Sequence, residues 1–379
     1  ADILHCHDWQ TAPIATSERG SAKCAFTIHN MNYGADLIGQ AMTRADVCTT
    51  VSPTYAQEIS GHPAIAPHHN KFYGIINGID PDIWDPLEDK FLPRGYGADD
   101  VAAGKAAAKQ ELRKRMNLSL ADVPLVGCVT RLTHQKGIHL IKHAAWRTME
   151  RGGQFVLLGS APDSKVQAGF NALAADLGRQ YHASHYATHT VQLERPLKTG
   201  TGRIKPDTAE FNALAADLGR QYPDRARLWF AYDEPLSHLI YAGSDMFLVP
   251  SMIAMRYGTI PVVRRTGGLN DTVFDVDHNQ IPLIPSDSAV PGRSPPAVFD
   301  VDHDKERAEA VGMALNGFNF EGMDAPGMDY ALNRALSRWF DDRQWWNQLA
   351  AGVMRTDWSW AGPALDYIEL YYKALKKQK

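Results

Sequence analysis

Short, continuous runs of apolar residues recur along the chain, and they do not alternate with polar residues. Strands that are buried on both faces read as unbroken apolar runs, so this pattern predicts parallel β-sheets covered by helices. The nine predicted strands are DILHC, CAFTIH, VCTTVS, FYGIIN, PLVGCVT, QFVLLG, ARLWFAY, MFLVP and TIPVV.

Helical patterns follow the later strands, as in GIHLIKHAAWRTMERG and PLSHLIYAG, and this alternation is typical of doubly wound α/β folds. A charged, alanine-rich stretch at 99–119 separates the first four strands from the last five. We expect it to be a helix that connects two Rossmann-like domains. The predicted domains are a partial N-terminal one over 1–98, a C-terminal one over 120–345, and terminal helices over 346–379 that cross back.

Two repeats are identical letter for letter. FNALAADLGRQY occurs at 170–181 and 211–222, and VFDVDH occurs at 273–278 and 298–303. Repeats of a solenoid diverge and tile the chain, whereas these are local and unrelated to each other. They predict insertions near 181–221 and 279–302 that duplicate their flanks, as an error in a gene model would. A functional loop is the alternative interpretation.

Composition narrows the class of protein. A hydrophobic content of 44% and a charged content of 22% are those of a globular protein, and the net charge of −4 predicts no nucleic-acid partner. No apolar run is long enough to span a bilayer, so no membrane partner is expected. The four cysteines form no CxxC pair and are expected to be buried, reduced thiols. Because the chain starts inside a predicted strand, we expect a fragment of a longer protein.

Candidate chemistry was sought after each strand, because ligands of open α/β sheets bind beyond the carboxyl ends of the strands. Asp8 follows the first strand, His29 the second, and Asn77 lies in the turn NGID after the fourth. A satisfied structural histidine and a plain turn are the alternatives for His29 and Asn77. His5, Cys6 and His7 are adjacent on one strand and cannot converge on one metal ion.

The loop RLTHQKG, 131–137, carries the strongest local signal. Arg131 and Lys136 lie between a strand and a helix, where side-chain charge and free helix N–H groups bind phosphate. The segment TGGL also precedes a predicted helix, and its glycines allow the backbone to approach a ligand closely. The two DVD segments would suit a metal-dependent glycosyltransferase, but neither follows a strand, and no metal site is expected.

Eight segments, in order, resemble those of bacterial glycogen synthases and plant soluble starch synthases, and their sequences are similar to those of the type III enzymes. They are HCHDWQTAP, FTIHN, TTVSPTYAQEI, KFYGIINGIDPDIWDP, TRLTHQKGIHLIKHA, VLLGSAPD, YDEPLSHLIYAGSD and RRTGGLNDTVFDVDH. The resemblance implies a GT-B fold with a truncated N-terminal domain. It also implies transfer of glucose from ADP-glucose to an α-1,4-glucan with retention, without a cofactor or metal. A plastid stroma location and complexes with other starch-synthesis enzymes are further implications.

The resemblance also implies roles for the candidate residues. Arg131 and Lys136 would hold the donor diphosphate, and His29 would face the glucosyl unit in a cleft that Asp8 and Asn77 line. Four residues would contact the donor phosphates through their backbone, namely Thr266, Gly267, Gly268 and Leu269.

One departure from the family pattern bears on activity. The family places a segment like FEPCGLTQ, with a glutamate that faces the transferring glucose, after the strand that ends in Pro-Ser. Here Ser251 is followed directly by Met252, and a lysine loop that the family carries upstream is also absent from the sequence. We therefore expect the chain as written to be inactive. The alternatives are a non-catalytic binder of ADP-glucose or glucan with the same fold, or an unrelated GT-B enzyme such as a sucrose synthase or phosphorylase.

Overall fold

The structure, a computed structural model, describes residues 1–132, 136–160, 206–249, 252–277 and 301–376. These residues form two sheets in which every strand pairing is parallel. All nine predicted strands are present, with ends that shift by a few residues. The tenth strand, Phe318–Phe320, was missed because three residues carry too little periodic signal.

The first sheet has four strands in the order β1-β2-β3-β4, and helices follow the first three. Its elements are β1 (Ile3–His7), α1 (Asp8–Thr16), β2 (Lys23–Ile28), α2 (Ala35–Arg44), β3 (Val47–Thr50), α3 (Pro53–Ile59), a 3₁₀ turn (Ala66–Lys71) and β4 (Phe72–Gly74). Phe26 and Ile28 of β2 pack against Ile38 and Met42 of α2, and all four are fully buried. This core holds the ends of β1 and β2 at one edge of the sheet.

The second sheet has six strands in the order β10-β9-β8-β5-β6-β7. Its strands are β5 (Leu125–Arg131), β6 (Gln154–Ser160), β7 (Ala226–Trp229), β8 (Met246–Leu248), β9 (Ile260–Arg264) and β10 (Phe318–Phe320). Counted from β5, this is the doubly wound strand order 3-2-1-4-5-6, read from the β7 edge. The second and third strands are added on one side of β5 and the last three on the other, so the order switches between the first and fourth strands. The crevice of such a sheet opens there, beyond the ends of β5 and β8.

Helices surround this second sheet and extend to the C-terminus. They are α4 (Val101–Arg115), α5 (Ile138–Glu150), α6 (Pro206–Gln221), α7 (Glu234–Gly243), α8 (Met252–Arg256), α9 (Gly267–Thr272), α10 (Val301–Ala310), α11 (Ala325–Asp341), α12 (Arg343–Arg355) and α13 (Ala361–Lys376). Leu140, Ile141 and Ala144 are the buried face of α5, and their spacing of three and four residues explains why this segment is a helix on a sheet.

Helix α4 lies where the sequence predicts a connector, and it packs into the second core. Ala108 and Leu112 are fully buried against α7. The Nζ of Lys109 donates to Asp245 Oδ2 at 2.6 Å, and the Nζ of Lys105 donates to the carbonyl of Ala242 at 2.9 Å. These contacts fix α4 to the second sheet.

Helix α13 packs on the first sheet, although it follows the helices of the second. Its Ala374 is buried with Ala25 and Val47, and the hydroxyl of Tyr371 lies 2.7 Å from His5 Nδ1. The chain crosses between the sheets beside the turn after β4, where the N–H of Ile79 donates to the carbonyl of Trp358 at 2.8 Å. The C-terminal helix therefore ties the two sheets together.

Candidate functional site

The ends of β1 and β2 bring Asp8 and His29 into direct contact. Asp8 Oδ1 accepts the backbone N–H of His29 at 2.6 Å and that of Asn30 at 3.3 Å. Asp8 itself has a φ of +54°, in the left-handed region that aspartate tolerates better than most residues. This conformation turns the chain from β1 into α1, and the carboxylate then fixes the backbone of the His29 loop.

Three histidines form a column at the same edge. The rings of His5 and His7 stack with centroids 4.2 Å apart, and His7 Nδ1 lies 3.0 Å from His29 Nε2. Burial, together with the neighbouring His7 and His29, lowers the pKa of His5 to about 4. Burial and His29 also lower the pKa of His7, against the opposing effect of Asp8. Both rings are therefore neutral at pH 7.

Arg131 and Lys136 flank the junction between β5 and α5. Arg131 is the last residue of β5 and is exposed, and Lys136 is partly buried one residue before the left-handed Gly137. Burial lowers the pKa of Lys136, and the positive charge of Arg131 lowers it further, so the two cations are close. No described carboxylate forms a salt bridge with either side chain. The pair concentrates positive charge at the crevice of the second sheet.

A cavity of about 290 Å³ opens beside Arg131, at the ends of β5, β6 and β7. Tyr232 and Tyr241 are among its aromatic walls, with Trp84 from the segment between the sheets. Tyr232 is 83% exposed. It ends the predicted strand ARLWFAY, whereas β7 ends at Trp229, so a search for residues that follow the predicted strands does not select it.

The TGGL segment begins α9 and contacts the first sheet across the crevice. Glu58 Oε1 of α3 accepts the hydroxyl of Thr266 at 3.0 Å and the N–H of Gly267 at 2.8 Å. Gly267 has a φ of +47°, and Gly268 lies against Ser52. Leu269 continues the helix and accepts the N–H of Val273 through its carbonyl at 3.0 Å. Glu58 was not a predicted site residue, because its partners lie more than 200 residues away.

Asn77 is half-buried in the turn after β4. The next residue, Gly78, lies so close to Ser359 and Trp360 that a Cβ would come within 2.5 Å of the Trp360 nitrogen. Asn77 therefore stands where the chain crosses between the sheets. The candidates thus form separate groups: Asp8 with His29, Arg131 with Lys136, TGGL with Glu58, and Asn77 at the crossing.

The first DVD segment has a structural role. Asp275 is buried and forms a double hydrogen bond with Arg334 at 2.7 and 2.9 Å, and Asp277 lies 3.3 Å from Arg338. Arginines of α11 thus engage both carboxylates of the first copy. In the second copy, Asp300 lies outside the described residues. Within the described ranges, no group of three or more His, Cys, Asp or Glu side chains could hold a metal ion.

The junction between β8 and α8 is short and strained. Val249 has a φ of +55°, and a β-branched residue rarely adopts this left-handed conformation. Met252 begins α8 three residues later, and Pro250 and Ser251 lie outside the described residues. The strain falls where the sequence lacks the loop that the family resemblance predicts.

Two properties concern the whole chain. All four cysteines, namely Cys6, Cys24, Cys48 and Cys128, are buried and form no disulfide, as expected. None of the helices in the described part of the chain combines the length and apolar character needed to cross a membrane.

Comparison with known proteins gives matches that cover nearly the whole chain. Residues 1–40 match a family described as the starch synthase catalytic domain. Soluble starch synthase 3, chloroplastic/amyloplastic, of Solanum tuberosum is 52% identical over an alignment of 392 positions, and the match covers 99% of this chain and 26% of the potato protein. The glycogen synthase of Protochlamydia amoebophila (strain UWE25) is 31% identical over an alignment of 435 positions, and the match covers 98% of this chain and 73% of that protein.

A solved structure is similar over the same extent. The catalytic domain of starch synthase IV from Arabidopsis thaliana, bound to ADP and acarbose, matches with a TM-score of 0.74 and 35% identity. The match covers 99% of this chain and 73% of that one. This similarity confirms the expected GT-B arrangement of two parallel sheets.

Proposed function

Because the chain belongs to the family of starch and glycogen synthases, we propose that it binds ADP-glucose in the crevice between its two sheets. The observation that carries the proposal is the cation pair Arg131 and Lys136, at the end of the first strand of a doubly wound sheet. Two adjacent cations without a described carboxylate partner suit a diphosphate, whose charges they neutralise through charge-assisted hydrogen bonds.

The cavity beside Arg131 supports the same donor. Tyr232, Tyr241 and Trp84 offer apolar and aromatic surface for a flat nucleobase within reach of the cation pair. We propose that the adenine occupies this cavity and that the diphosphate extends toward Lys136 and the TGGL segment. The N–H of Gly267 would then serve a phosphate oxygen. In this proposal His29, supported by Asp8, faces the glucosyl unit, and Asn77 lines the crevice.

The proposed reaction is that of the family. Glucose would pass from ADP-glucose to the non-reducing end of an α-1,4-glucan with retention, and Arg131 and Lys136 would stabilise the charge that develops on the leaving ADP. We propose that no cofactor or metal takes part, because arginines already engage Asp275 and Asp277. A plastid location follows from relatives described as chloroplastic/amyloplastic, and association with other starch-synthesis enzymes is part of the same proposal.

A second candidate function is binding without turnover. Ser251 is followed directly by Met252, so the sequence contains no glutamate at the place where the family carries one. A chain with the cation pair but without this carboxylate would hold ADP-glucose or glucan and transfer little. The two functions share the donor site and differ in catalysis.

Calorimetric titration with ADP tests the donor site. We expect Arg131→Ala and Lys136→Ala each to weaken binding by about 1.5–3 kcal/mol, because each removes a charge-assisted hydrogen bond. Arg151, an exposed arginine at the far end of α5, provides the control variant Arg151→Ala, which should bind ADP as the unmodified chain does. Equal affinity in all four proteins would exclude this site.

A further inference from the structure

The contact between His7 and His29 couples two imidazoles at the edge of the crevice. His7 ends β1, His29 follows β2, and the parallel register places His7 beside Thr27. His7 Nδ1 and His29 Nε2 are 3.0 Å apart, the distance of a direct hydrogen bond. Such a contact needs one nitrogen with a proton and one without, so the two facing nitrogens hold a single proton between them.

We propose that His7 is a positioning residue for His29, whose tautomer it sets through this shared proton. The role rests on the proposed function, in which His29 faces the glucosyl unit of the donor. If His7 Nδ1 carries the proton, His29 must carry its own on Nδ1, because its Nε2 accepts. If His29 Nε2 carries it, His7 must carry its own on Nε2. While both rings are neutral, they therefore share the same tautomer.

The surroundings hold His7 in place and keep it from taking a second proton. The backbone N–H of His7 donates to Thr11 Oγ1 at 2.6 Å, and the imidazole ring of His7 stacks on that of His5. Both nitrogens of His5 are engaged, one with the hydroxyl of Tyr371 and the other with that of Thr27, each at 2.7 Å.

The charged and titratable groups around His7 come from three sides. They are His5 on β1, His29 after β2, Asp8 on α1, and Tyr367 and Tyr371 of α13 beside His5. His29 favours the neutral form of His7, and Asp8 favours the charged form. Asp8 is the negative group of this set, and it already accepts two backbone N–H groups from the His29 loop. The pKa of His7 is lowered by burial and then by His29, so His7 stays neutral at neutral pH and can share one proton with His29.

A fixed tautomer has a direct consequence for ligand binding. The remaining nitrogen of His29 presents either a donor or an acceptor to a glucosyl hydroxyl, and the ring can exchange one for the other only if His7 changes its tautomer at the same time. The energetic contribution of His7 should therefore appear in the binding of the sugar and not in the binding of ADP.

Nuclear magnetic resonance of the ¹⁵N-histidine-labelled chain tests the pairing without any ligand. At pH 7.5 we expect His7 and His29 to be the same tautomer, either both protonated on Nδ1 or both on Nε2. In His29→Gln, the titration midpoint of His7 should move up toward the ordinary value near 6.5. Different tautomers in the two rings, or an unchanged His7 midpoint, would overturn the proposal.

Two variants of His7 separate positioning from packing. His7→Phe keeps the stack on His5 and removes the hydrogen bond, whereas His7→Asn places an amide nitrogen close to the position of Nδ1. We expect His7→Phe to reduce the preference for ADP-glucose over ADP about fivefold, the effect of one lost hydrogen bond, and His7→Asn to restore most of it. An equal loss of ADP affinity in His7→Phe would indicate a structural role and refute the assignment. If the unmodified chain does not bind ADP, the donor-site proposal fails, and the tautomer measurement still decides this one.

Discussion

At the residue scale, Glu58 occupies the hydrogen-bond donors that the proposed site would offer to the phosphates of ADP-glucose. Its carboxylate accepts from Thr266 and Gly267, the residues that the family resemblance assigns to the donor phosphates. One N–H serves one strong acceptor, and a carboxylate next to a diphosphate is repelled by it. In the proposed site, ADP-glucose would therefore displace Glu58 from the TGGL segment when it binds.

Replacing Glu58 should consequently tighten ADP binding. We expect Glu58→Gln to raise ADP affinity several-fold, because the amide carries no charge and is a weaker acceptor. Glu18→Gln makes the same charge change at another exposed position, on the loop after α1, and should leave the affinity unchanged. Calorimetric titration at one salt concentration measures all three proteins. Weaker binding in Glu58→Gln alone would mean that Glu58 supports the loop for the donor instead of competing with it.

At the element scale, the second copy of FNALAADLGRQY forms most of α6. Leu214 and Leu218 from this copy are buried in the core of the second sheet, with 4% and 0% exposure. The first copy, 170–181, lies outside the described residues, as do 182–205 of the first predicted insertion, 181–221, and 279–300 of the second, 279–302. The place of α6 in the fold is thus taken by the second of two identical sequences.

This arrangement predicts unequal effects of identical substitutions. Leu218→Ala should cost about 2–5 kcal/mol, because it leaves a cavity in a packed core, and Leu177→Ala in the first copy should cost much less. In a chain lacking 181–221 the first copy is joined to Tyr222, so Leu177→Ala should then carry the full cost. Denaturant unfolding of the three variants and their two parent chains gives these differences. Equal costs in the full chain would show that both copies pack.

At the scale of the whole molecule, the strained junction at Val249 is a place where the requirements of folding and of catalysis can be tested separately. The two sheets form without the FEPCGLTQ-like segment, but the positive φ of Val249 shows what the direct join of β8 to α8 imposes on the backbone. Insertion of the segment after Ser251 would lengthen this connection and return the glutamate to the crevice. Stability and turnover should then respond to different parts of the insertion.

We expect insertion of FEPCGLTQ to raise both the melting temperature and the incorporation of labelled glucose from ADP-glucose into a glycogen primer. A matched insertion with alanine in place of the glutamate should raise the melting temperature alone. Loss of one preorganised group costs about 10²–10³ in rate, so the unmodified chain should fall below the full insertion by at least that factor. Comparable turnover in all three proteins would contradict the expectation of inactivity.

The sequence by itself determined the strands, the α/β class and the strand-end candidates. These depend on local patterns: apolar runs such as PLVGCVT mark buried strands, and residues such as Arg131 and His29 follow them directly. The family resemblance, which rests on eight ordered segments, added the GT-B arrangement that the structural comparison confirms.

Only the tertiary structure decided how distant residues combine. The pairing of His7 with His29, the contact of Glu58 with Gly267 and the ion pair of Asp275 with Arg334 join residues that are 22, 209 and 59 positions apart. Strand order and helix packing bring these groups within hydrogen-bond distance, and neither is encoded in the spacing of any one segment. For the same reason the letters DVD alone allow a metal-binding interpretation, whereas in the structure the first copy is buried beside α11 and forms ion pairs with its arginines.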